Sequence, residues 1–550
     1  MSLFLQLAQL GERLEATRSH KAMASLVADY LGGLAPGQVA PTARMIIGRA
    51  FPETRGRPLR LSGAAVARVV ASVVETTAEQ RQKIAREAVD FGQSVQMMFE
   101  QGTRAPTQEP PLSLEEVWQT FQDIAAADGS GSRQRKDRLL RTLFQRSSAL
   151  EAKYLAKLAV GEMRHGVSEG LLLDSIAQAA RIPRKLVRRA NMLTGDVGQV
   201  AAVALQQGSE ALERSSVTLG QPIKPMLAQT ASSVEEAMLM LKSELALEYK
   251  LDGARVQIHR SGRRVWLFSR HLADMTVSLP EVQEEILREV EAPRAILEGE
   301  VIAIATAGKP KPFQHLMRRL GRVHDVQALR EQIPVKLYLF DLLYADGESW
   351  IDRPYLERVE ELQRACGGIS LVERLLPSSV RDGEAFLSAA RRAGHEGLMA
   401  KALDSPYSPG TRGRYWLKIK PTITLDLVIV AAEWGYGRRH GWLSNYHLAA
   451  RDEESGDLLE VGKTFKGLTD NEFEQMTERL LNLRVGERQR MVTVRPEVVV
   501  EVAFNNIQDS PQYRSGMALR FARIVRFRPD KPAEEADTIQ TLRSLQQTVK

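Results

Sequence analysis

The chain reads Leu247-Glu248-Tyr249-Lys250-Leu251-Asp252-Gly253-Ala254-Arg255 near its middle, with a lysine followed closely by an acid, a glycine and an arginine. Residues 243–259 alternate loosely between polar and apolar side chains, which predicts one half-buried strand with Lys250 in its middle. An edge strand with a solvated lysine would explain Lys250 alone. It would not explain Asp252-Gly253, because a glycine here indicates that the backbone comes close to another group.

The length and composition predict a globular protein of several domains. With 550 residues, 43% of them hydrophobic and 26% charged, the chain exceeds the usual domain size of roughly 100–200 residues. The net charge is +7, and most of the surplus lies in residues 1–215, which hold 28 basic and 22 acidic residues. A basic N-terminal third is compatible with a polyanionic partner, although proteins that bind no nucleic acid often carry a similar surplus.

Signals for disulfides, export and membranes are missing from the sequence. The single cysteine, Cys366, excludes a disulfide within the chain and a zinc site built from cysteines. The first residues lack a basic lead, a sustained apolar run and a cleavage site, so they predict a helix and not a signal peptide. No run of about 18 apolar residues occurs, so we expect a soluble, intracellular protein.

Residues 1 to about 213 predict an all-helical domain, because apolar side chains recur there at three- and four-residue spacing. Within it, a helix should end in a glycine turn that carries Arg164 and Gly166, and a further helix should cover 171–180. A helix end of this kind can bring backbone amides and a guanidinium onto a phosphate. A basic cluster follows, which is either a solvated face or a phosphate contact. Its members are Arg181, Arg184, Lys185, Arg188 and Arg189.

Beyond a linker at 215–221 the sequence changes to strands with interspersed helices, up to about residue 421. A strand at 265–270 should pair back on the lysine strand through a turn at 261–262. Further strands are predicted at 295–303 and 336–343, with amphipathic helices at 354–366 and 383–393. The remaining residues predict a small barrel such as an OB-fold. Its strands are expected at 425–433, 443–451, 458–463 and 498–504, with one helix at 471–483.

The pattern Lys-x-Asp-Gly-x-Arg at 250–255 resembles the nucleophile motif of covalent nucleotidyltransferases. The Arg164 turn, the segment 222–228 and the sequence at 518–531, which ends in Arg-x-Asp-Lys, resemble further motifs of ATP-dependent DNA ligases. Their order matches over essentially the whole chain, so the chain resembles the archaeal and eukaryotic replicative type of this family. Lysine has a usual pKa of about 10.4, so a lysine nucleophile needs nearby cations or a metal to become reactive.

The resemblance implies a role for each matching residue. Lys250 matches the adenylated catalytic lysine, and Glu248 matches the residue that reads the adenine amino group. Residues matching the other nucleotide contacts, with Phe340 in the adenine-stacking position, are Arg255, Arg270, Glu300, Phe340, Arg412 and Lys418; Arg414 is an open alternative to Arg412. The metal ligands would be Glu300 and Glu396, in keeping with the preference of magnesium for oxygen. The lid motif that reaches pyrophosphate would be Arg528, Asp530 and Lys531.

The resemblance also implies the architecture and the reaction. We expect a multidomain protein with an all-α DNA-binding domain at 1–213, an α+β nucleotidyltransferase (adenylation) domain at 220–421 and a β-barrel OB-fold domain at 422–550. The implied enzyme is a DNA ligase that seals nicks in duplex DNA through a lysine–AMP intermediate and 5′-adenylated DNA, in replication, repair and recombination. The implied cofactors are ATP and Mg²⁺ or Mn²⁺.

The expected partner is nicked double-stranded DNA. A sliding clamp is a further candidate, although no clear clamp-binding box is visible in the sequence. We expect a monomer, located in the cytoplasm and associated with the nucleoid if the source is prokaryotic.

Other classes of protein fit the sequence less well. An RNA-capping enzyme or RNA ligase would explain Lys250 and its neighbours but not the helical N-terminal third. An NAD-dependent ligase would normally contain a zinc site built from cysteines, and the chain has a single cysteine. A non-enzymatic DNA-end-binding protein would be expected to have lost at least one catalytic position, and none is lost. The Gly-Lys-Thr at 462–464 is not a P-loop, because five residues instead of four separate its glycines and no strand-then-helix context follows.

Overall fold

The structure is a computed structural model that describes residues 3–52, 59, 61–106, 109–305, 308–322, 324–408, 412–420, 423–436 and 439–549, with the backbone alone at 412–414 and 547–549. The chain divides into two compact units. The first unit comprises Met1–Leu227, Asp252–Val372 and Leu403–Gly413, and the second comprises Ala228–Leu251, Glu373–Ala402 and Arg414–Lys550. Among the described residues, no helix is long and apolar enough to cross a membrane.

The N-terminal region is helical wherever it is described, which confirms the expected fold of this region. Its helices are α1 Phe4–Glu15, α2 His20–Gly32, α3 Pro36–Ile46, α4 Gly63–Ala71, α5 Ala78–Glu87, α6 Phe91–Gln101, α7 Leu114–Ala126, α8 Ser132–Arg146, α9 Ala149–Val160, α10 Glu169–Ala180, α11 Arg184–Thr194, α12 Val197–Gln207 and α13 Ser209–Glu213. Several begin at a capping residue. At α9 the Ser148 hydroxyl accepts from the Glu151 amide, and the Glu151 carboxylate accepts from the Ser148 amide. One hydrophobic core joins all of these helices except α5.

The rest of the first unit is built on an antiparallel sheet in the order β4-β3-β5-β6-β7. Its elements are β3 Ala254–Ser261, β4 Arg264–Ser269, α15 Pro280–Glu289, β5 Arg294–Ala303, α16 Phe313–Met317, α17 Val326–Gln332, β6 Val335–Ala345, β7 Glu348–Ser349 and α18 Tyr355–Ala365. One sheet face packs its apolar side chains against α15 and α18. The buried Asp341 of β6 holds the Arg358 guanidinium of α18 at 2.8 Å, so this helix is also fixed by an ion pair.

The second unit begins with a separate five-stranded sheet in the order β1-β10-β9-β2-β8. Its elements are β1 Leu227–Ala231, α14 Val234–Leu241, β2 Leu245–Lys250, β8 Arg374–Leu375, α19 Val380–Arg392, β9 Gly397–Ala402 and β10 Arg412–Ile419. Apolar side chains of β2, β9 and β10 form a core with α14 and α19 on one face of this sheet. The opposite face is therefore available for polar side chains, since successive residues of a strand point to opposite faces.

The predicted single strand at 243–259 is wrong. The structure divides it, so that β2 ends at Lys250 and β3 belongs to the other sheet. Gly253 gives the physical reason: a Cβ at this position would lie 2.4 Å from the Val301 carbonyl oxygen, so the backbone approaches β5 too closely for any side chain. Strand β4 consequently pairs with β3, and not with the strand that carries Lys250.

The C-terminal part of the second unit is a sheet domain. Its elements are β11 Ile423–Trp434, β12 Leu443–Arg451, β13 Leu458–Thr464, α20 Asp470–Asn482, β14 Arg484–Arg488, β15 Met491–Phe504, β16 Asn506–Asp509, β17 Met517–Arg520, β18 Arg523–Phe527 and α21 Ile539–Val549. The sheet runs β13-β12-β11-β15-β14, with β18 also paired to β15 and β16 paired to β17. The four predicted strands and the predicted helix are confirmed. The described strands do not close into a barrel, so the expected OB-fold is not established by the sheet alone.

Removing the Arg358 guanidinium tests the packing of α18 on β6. Because Arg358 and Asp341 have no exposed side-chain surface, R358M should leave a buried, uncompensated carboxylate and lower the unfolding free energy by about 3–5 kcal/mol. Denaturant unfolding measures the change. R330M serves as the control, because Arg330 pairs with the largely exposed Glu284 and its loss should barely move the midpoint. Equal effects of the two substitutions would contradict this description of the core.

Candidate active site

The polar face of the sheet in the second unit carries the predicted nucleophile. Glu248 and Met399 lie directly opposite each other on β2 and β9, Lys418 lies opposite Met399 on β10, and Lys250 lies opposite Gly397. Directly paired residues share a face, so all five positions project from one side of the sheet. The intervening residues form the apolar core on the other side.

Lys250 is the last residue of β2, and its ammonium group forms an ion pair with Glu396. The side chain is 23% exposed, so it is accessible to a ligand. Glu396 also accepts from Lys420 at 2.8 Å. Burial raises the pKa of Glu396, but the Lys250 and Lys420 ammonium groups outweigh burial and hold this pKa below its usual value. The carboxylate thus stays ionised and orients Lys250.

Gly397, opposite Lys250 on β9, lies against the backbone of β10. Its φ of +150° and a Cβ position only 2.2 Å from the Ile419 carbonyl oxygen exclude a side chain at this point of β9. Glu396 therefore supplies a carboxylate to Lys250, and the adjacent Gly397 allows the close approach of β10.

Glu248 is almost completely buried, with 2% exposure, and is held by two cations. The Arg374 Nε donates to Glu248 Oε1 at 2.8 Å, and the Lys401 ammonium contacts Oε2 at 2.5 Å. The sequence interpretation assigned no role to Arg374 or Lys401. Lys401 lies five residues after Glu396, and this closeness in sequence is a weak indication that it lies near the site. Arg374 meets Glu248 only through the pairing of β8 with β2.

In the first unit, Arg255 is fixed by several partners. Its guanidinium donates to Glu298 Oε2 at 2.5 Å, to the Met226 carbonyl oxygen at 2.6 Å and to the Tyr407 hydroxyl at 3.2 Å. It also lies over the ring of Phe340, 5.5 Å from the centroid. Phe340 is 8% exposed, so it is largely buried beside the arginine and not an open aromatic surface.

Glu300 and Arg270 lie near Arg255. Glu300 is half-buried on β5, directly opposite Arg255 on β3. Arg270 is exposed, follows the end of β4 and lines a shallow cleft together with Arg255 and Glu298. The structure thus brings the two predicted arginines into one cleft, and it adds Glu298 as an unpredicted partner of Arg255.

Three further predicted positions lie in or beside the C-terminal sheet domain. The Arg528 Nη1 and the Lys531 ammonium both donate to Asp426 Oδ2, at 2.7 and 2.8 Å, while Arg528 also pairs with Asp530 at 2.8 Å. Asp426 belongs to β11 and was not predicted as a partner. The side chains of Arg412 and Arg414 lie outside the described residues, so the choice between them stays open.

The predicted phosphate contact in the helical region lies in the turn after α9. The helix ends at Gly161 in a left-handed conformation, Arg164 has a φ of +53° and Gly166 a φ of +86°. Arg164 is exposed and pairs with Glu162 at 2.6 Å. The turn is therefore tight and presents a guanidinium at the surface.

The carboxylates fit a divalent cation only in part. Among the described residues, no three histidine, cysteine, aspartate or glutamate side chains form a ready cluster for a metal ion. Glu300 and Glu396 offer oxygen donors, and a hard cation such as Mg²⁺ is typically held by one or two carboxylates together with phosphate oxygens of the substrate. Each carboxylate is therefore chemically suited to a metal that binds together with a nucleotide.

Family models match three parts of the chain. The model described as DNA ligase N terminus matches residues 3–177, the ATP dependent DNA ligase domain matches 225–420, and the ATP dependent DNA ligase C terminal region matches 439–531. These segments contain the Arg164 turn, the sheet around Lys250 and the lid motif respectively.

Curated relatives match over nearly the full length. DNA ligase 1 of Korarchaeum cryptofilum is 46% identical over 99% of this chain and 98% of that protein. The DNA ligase of Thermococcus onnurineus is 41% identical over 98% of this chain and 97% of that protein. A solved structure described as "Pmar-Lig_Pre." covers 95% of this chain and 99% of its own, with a TM-score of 0.59 at 17% identity, and supports the fold alone.

The chain therefore belongs to the ATP-dependent DNA ligase family. The activity that follows from the family is the sealing of nicks in duplex DNA, with ATP and a divalent metal ion as the cofactors.

The Glu396 carboxylate should make stability depend on pH. Its pKa is lowered in the folded chain, so its ion pairs stabilise the fold above the usual carboxyl pKa of about 4.5 and are lost as the pH falls through the folded value. Urea unfolding between pH 7 and pH 3 should show a smaller acid loss for E396Q than for the wild type. The control is E478Q at an exposed site on α20, which should unfold with the pH profile of the wild type. If E396Q also has the wild-type profile, the Glu396 ion pairs do not contribute to the pH dependence of stability.

Proposed function

We propose that Lys250 is the covalent nucleophile of this ligase. The observation that carries the proposal is the placement of Lys250 at the end of β2, accessible, oriented by Glu396 and facing a position that must be glycine. After losing a proton, the Lys250 Nζ forms a bond to the α-phosphorus of ATP, and the bond to the bridging oxygen breaks to release pyrophosphate. AMP then passes to the 5′-phosphate of the nick, and the 3′-hydroxyl finally displaces AMP. Covalent catalysis divides one difficult transfer into easier steps.

Glu396 orients the lysine and does not act as its base. Because its pKa lies below the usual value, the carboxylate is a poor acceptor for the lysine proton at neutral pH. We propose that Glu300 and Glu396 are ligands of the divalent cation, either Mg²⁺ or Mn²⁺, because both side chains offer oxygen donors. The bound metal would supply positive charge for phosphoryl transfer.

The nucleotide contacts are proposed residue by residue. Glu248 is an ionised acceptor suited to the 6-amino group of adenine, and Met399 beside it on the same face offers apolar surface to a base. Phe340 is proposed to stack on adenine. Arg255 and Arg270 supply guanidinium groups for the ribose and phosphates, and they are suited to this because a guanidinium binds phosphate through two parallel hydrogen bonds. Lys418, with Arg412 or Arg414, would hold the triphosphate.

We further propose three functional domains at 1–213, 220–421 and 422–550, the last completing an OB-fold. The turn with Arg164 and Gly166 would contact the DNA backbone, supported by its tight geometry, its exposed guanidinium and the basic surplus of residues 1–215. We propose a monomer that, if the source is prokaryotic, acts in the cytoplasm in association with the nucleoid. A sliding clamp stays a candidate partner.

Replacing Lys250 separates the first step from the later ones. K250A should form no covalent adenylate with α-labelled ATP, because alanine has no side-chain nitrogen that could bond to the α-phosphorus. It should still seal a nick that carries preformed 5′-AMP. Denaturing gels measure both reactions. K309A, at an exposed lysine, is the matched control and should behave like the wild type. Label retained on K250A would reject the assignment.

The lid motif should act in the first step alone, because pyrophosphate is present only there. Lys531 has three donors and uses one on Asp426, so it can also hold a phosphate. K531A should slow self-adenylation by roughly 10²-fold, the scale of losing one preorganised charge contact, and leave sealing of a pre-adenylated nick within a few-fold of the wild type.

The control for the lid prediction is K463A, which removes another ion-paired lysine of the same sheet domain, bound to Glu433 at 2.8 Å. It should change neither rate substantially. Equal losses of K531A in both assays would show that Lys531 supports folding or DNA binding instead.

A further inference from the structure

The carboxylate of Glu248 is held from both sides by cations of neighbouring strands. Arg374 lies directly opposite Glu248 on β8, and its Nε and Nη2 both donate to Oε1. Lys401 comes from β9 on the other side of β2, and its ammonium contacts Oε2 at 2.5 Å. The side chain of Lys401 is 2% exposed and its ammonium lies 4.4 Å from the centre of the Trp416 ring. The two cations thus neutralise the Glu248 carboxylate and also hold its side chain in one position.

This arrangement is a poor means of stabilising the sheet. Taking the Glu248 carboxylate and the Lys401 ammonium out of water, and the half-buried Arg374 guanidinium partly so, is costly. Apolar side chains of similar volume commonly stabilise a fold at least as well. The opposite face of the same sheet is packed with apolar side chains, so the sequence readily supplies them where packing alone matters. The buried cluster of Glu248, Arg374 and Lys401 therefore points to a need for a carboxylate held in one place.

The chemistry of the purine explains why the position matters. Adenine presents an amino donor at carbon 6, and an ionised carboxylate accepts hydrogen bonds only. Hypoxanthine, the base of ITP, presents a carbonyl oxygen at carbon 6 that an ionised carboxylate repels. It also carries a hydrogen on N1, however, so a carboxylate that moves a short distance would accept from N1 and tolerate the wrong base. A carboxylate that cannot move rejects it.

We propose that Arg374 and Lys401 are positioning residues that set the selectivity for a 6-aminopurine by fixing Glu248. Neither residue is required to touch the nucleotide. The inference rests on the proposed contact of Glu248 with adenine and adds to it the reason why that contact discriminates. Sites built around fixed hydrogen-bonding groups reject mismatched substrates far better than adaptable ones.

The test compares covalent self-nucleotidylation of the full chain with α-labelled ATP and with α-labelled ITP in single-turnover reactions. The wild type should strongly prefer ATP. R374M and K401M should each reduce the ratio of the two rates by about tenfold to a hundredfold, the scale of losing a hydrogen bond to a charged group. R374K, which keeps a cation, should recover part of the ratio. A residue needed only for folding would slow both nucleotides equally and leave the ratio unchanged.

R319M is the control for losing a buried arginine. Arg319 is 1% exposed and pairs with Glu281, so its loss should lower thermal stability without changing the ATP-to-ITP ratio. E248Q distinguishes the proposed adenine contact of Glu248 from the positioning role of Arg374 and Lys401. If E248Q loses selectivity while R374M, R374K and K401M all keep the wild-type ratio, the positioning role is wrong and the adenine contact stands. If E248Q itself keeps the ratio, the proposed adenine contact is wrong and the inference falls with it.

Discussion

The pairing of β2 with β9 fixes which side chains of the lysine strand face the hydrophobic core. Leu245 and Leu247 point into that core, so Glu248 and Lys250 must point to the other face. A slip of one residue in this register would bury the lysine and expose leucine, which the packing of α14 and α19 opposes. The apolar side of the sheet therefore determines the position of Lys250, the proposed nucleophile.

On the polar face, each carboxylate is neutralised by more than one cation. Glu396 lies between two lysines and Glu248 lies between an arginine and a lysine, so each carboxylate has cations on more than one side. The cations on this face outnumber the carboxylates, so an incoming anion would meet positive charge that is already in place. In the C-terminal sheet domain, Asp426 likewise holds Arg528 and Lys531 together.

Local sequence patterns predicted the elements well and their long-range partners poorly. Strands β5, β6, β11 and β12 were predicted with bounds close to the observed ones, because each is an apolar run with clear turns at its ends. The division of the segment 243–259 was missed because alternation continues through Asp252-Gly253, and only the approach to Val301 shows that two sheets are involved. The family resemblance supplied Lys250 and its neighbours, but it did not supply Arg374 or Asp426.

Those two residues could not be inferred from spacing. Arg374 is 126 positions from Glu248 and Asp426 is 102 positions from Arg528, so only strand pairing and domain packing bring each pair together. A single charged residue on a short strand resembles many solvated ones in sequence.

The most direct test of the central claim is the chemical location of the bound AMP. The full chain would be incubated with ATP and Mg²⁺, digested and examined by tandem mass spectrometry for the mass of one adenylate. The account predicts a single modified position, Lys250, with the modification lost on addition of pyrophosphate or of nicked DNA. An adenylate on another lysine, such as Lys418 or Lys420 of the same region, or one that pyrophosphate and nicked DNA do not remove, would contradict it.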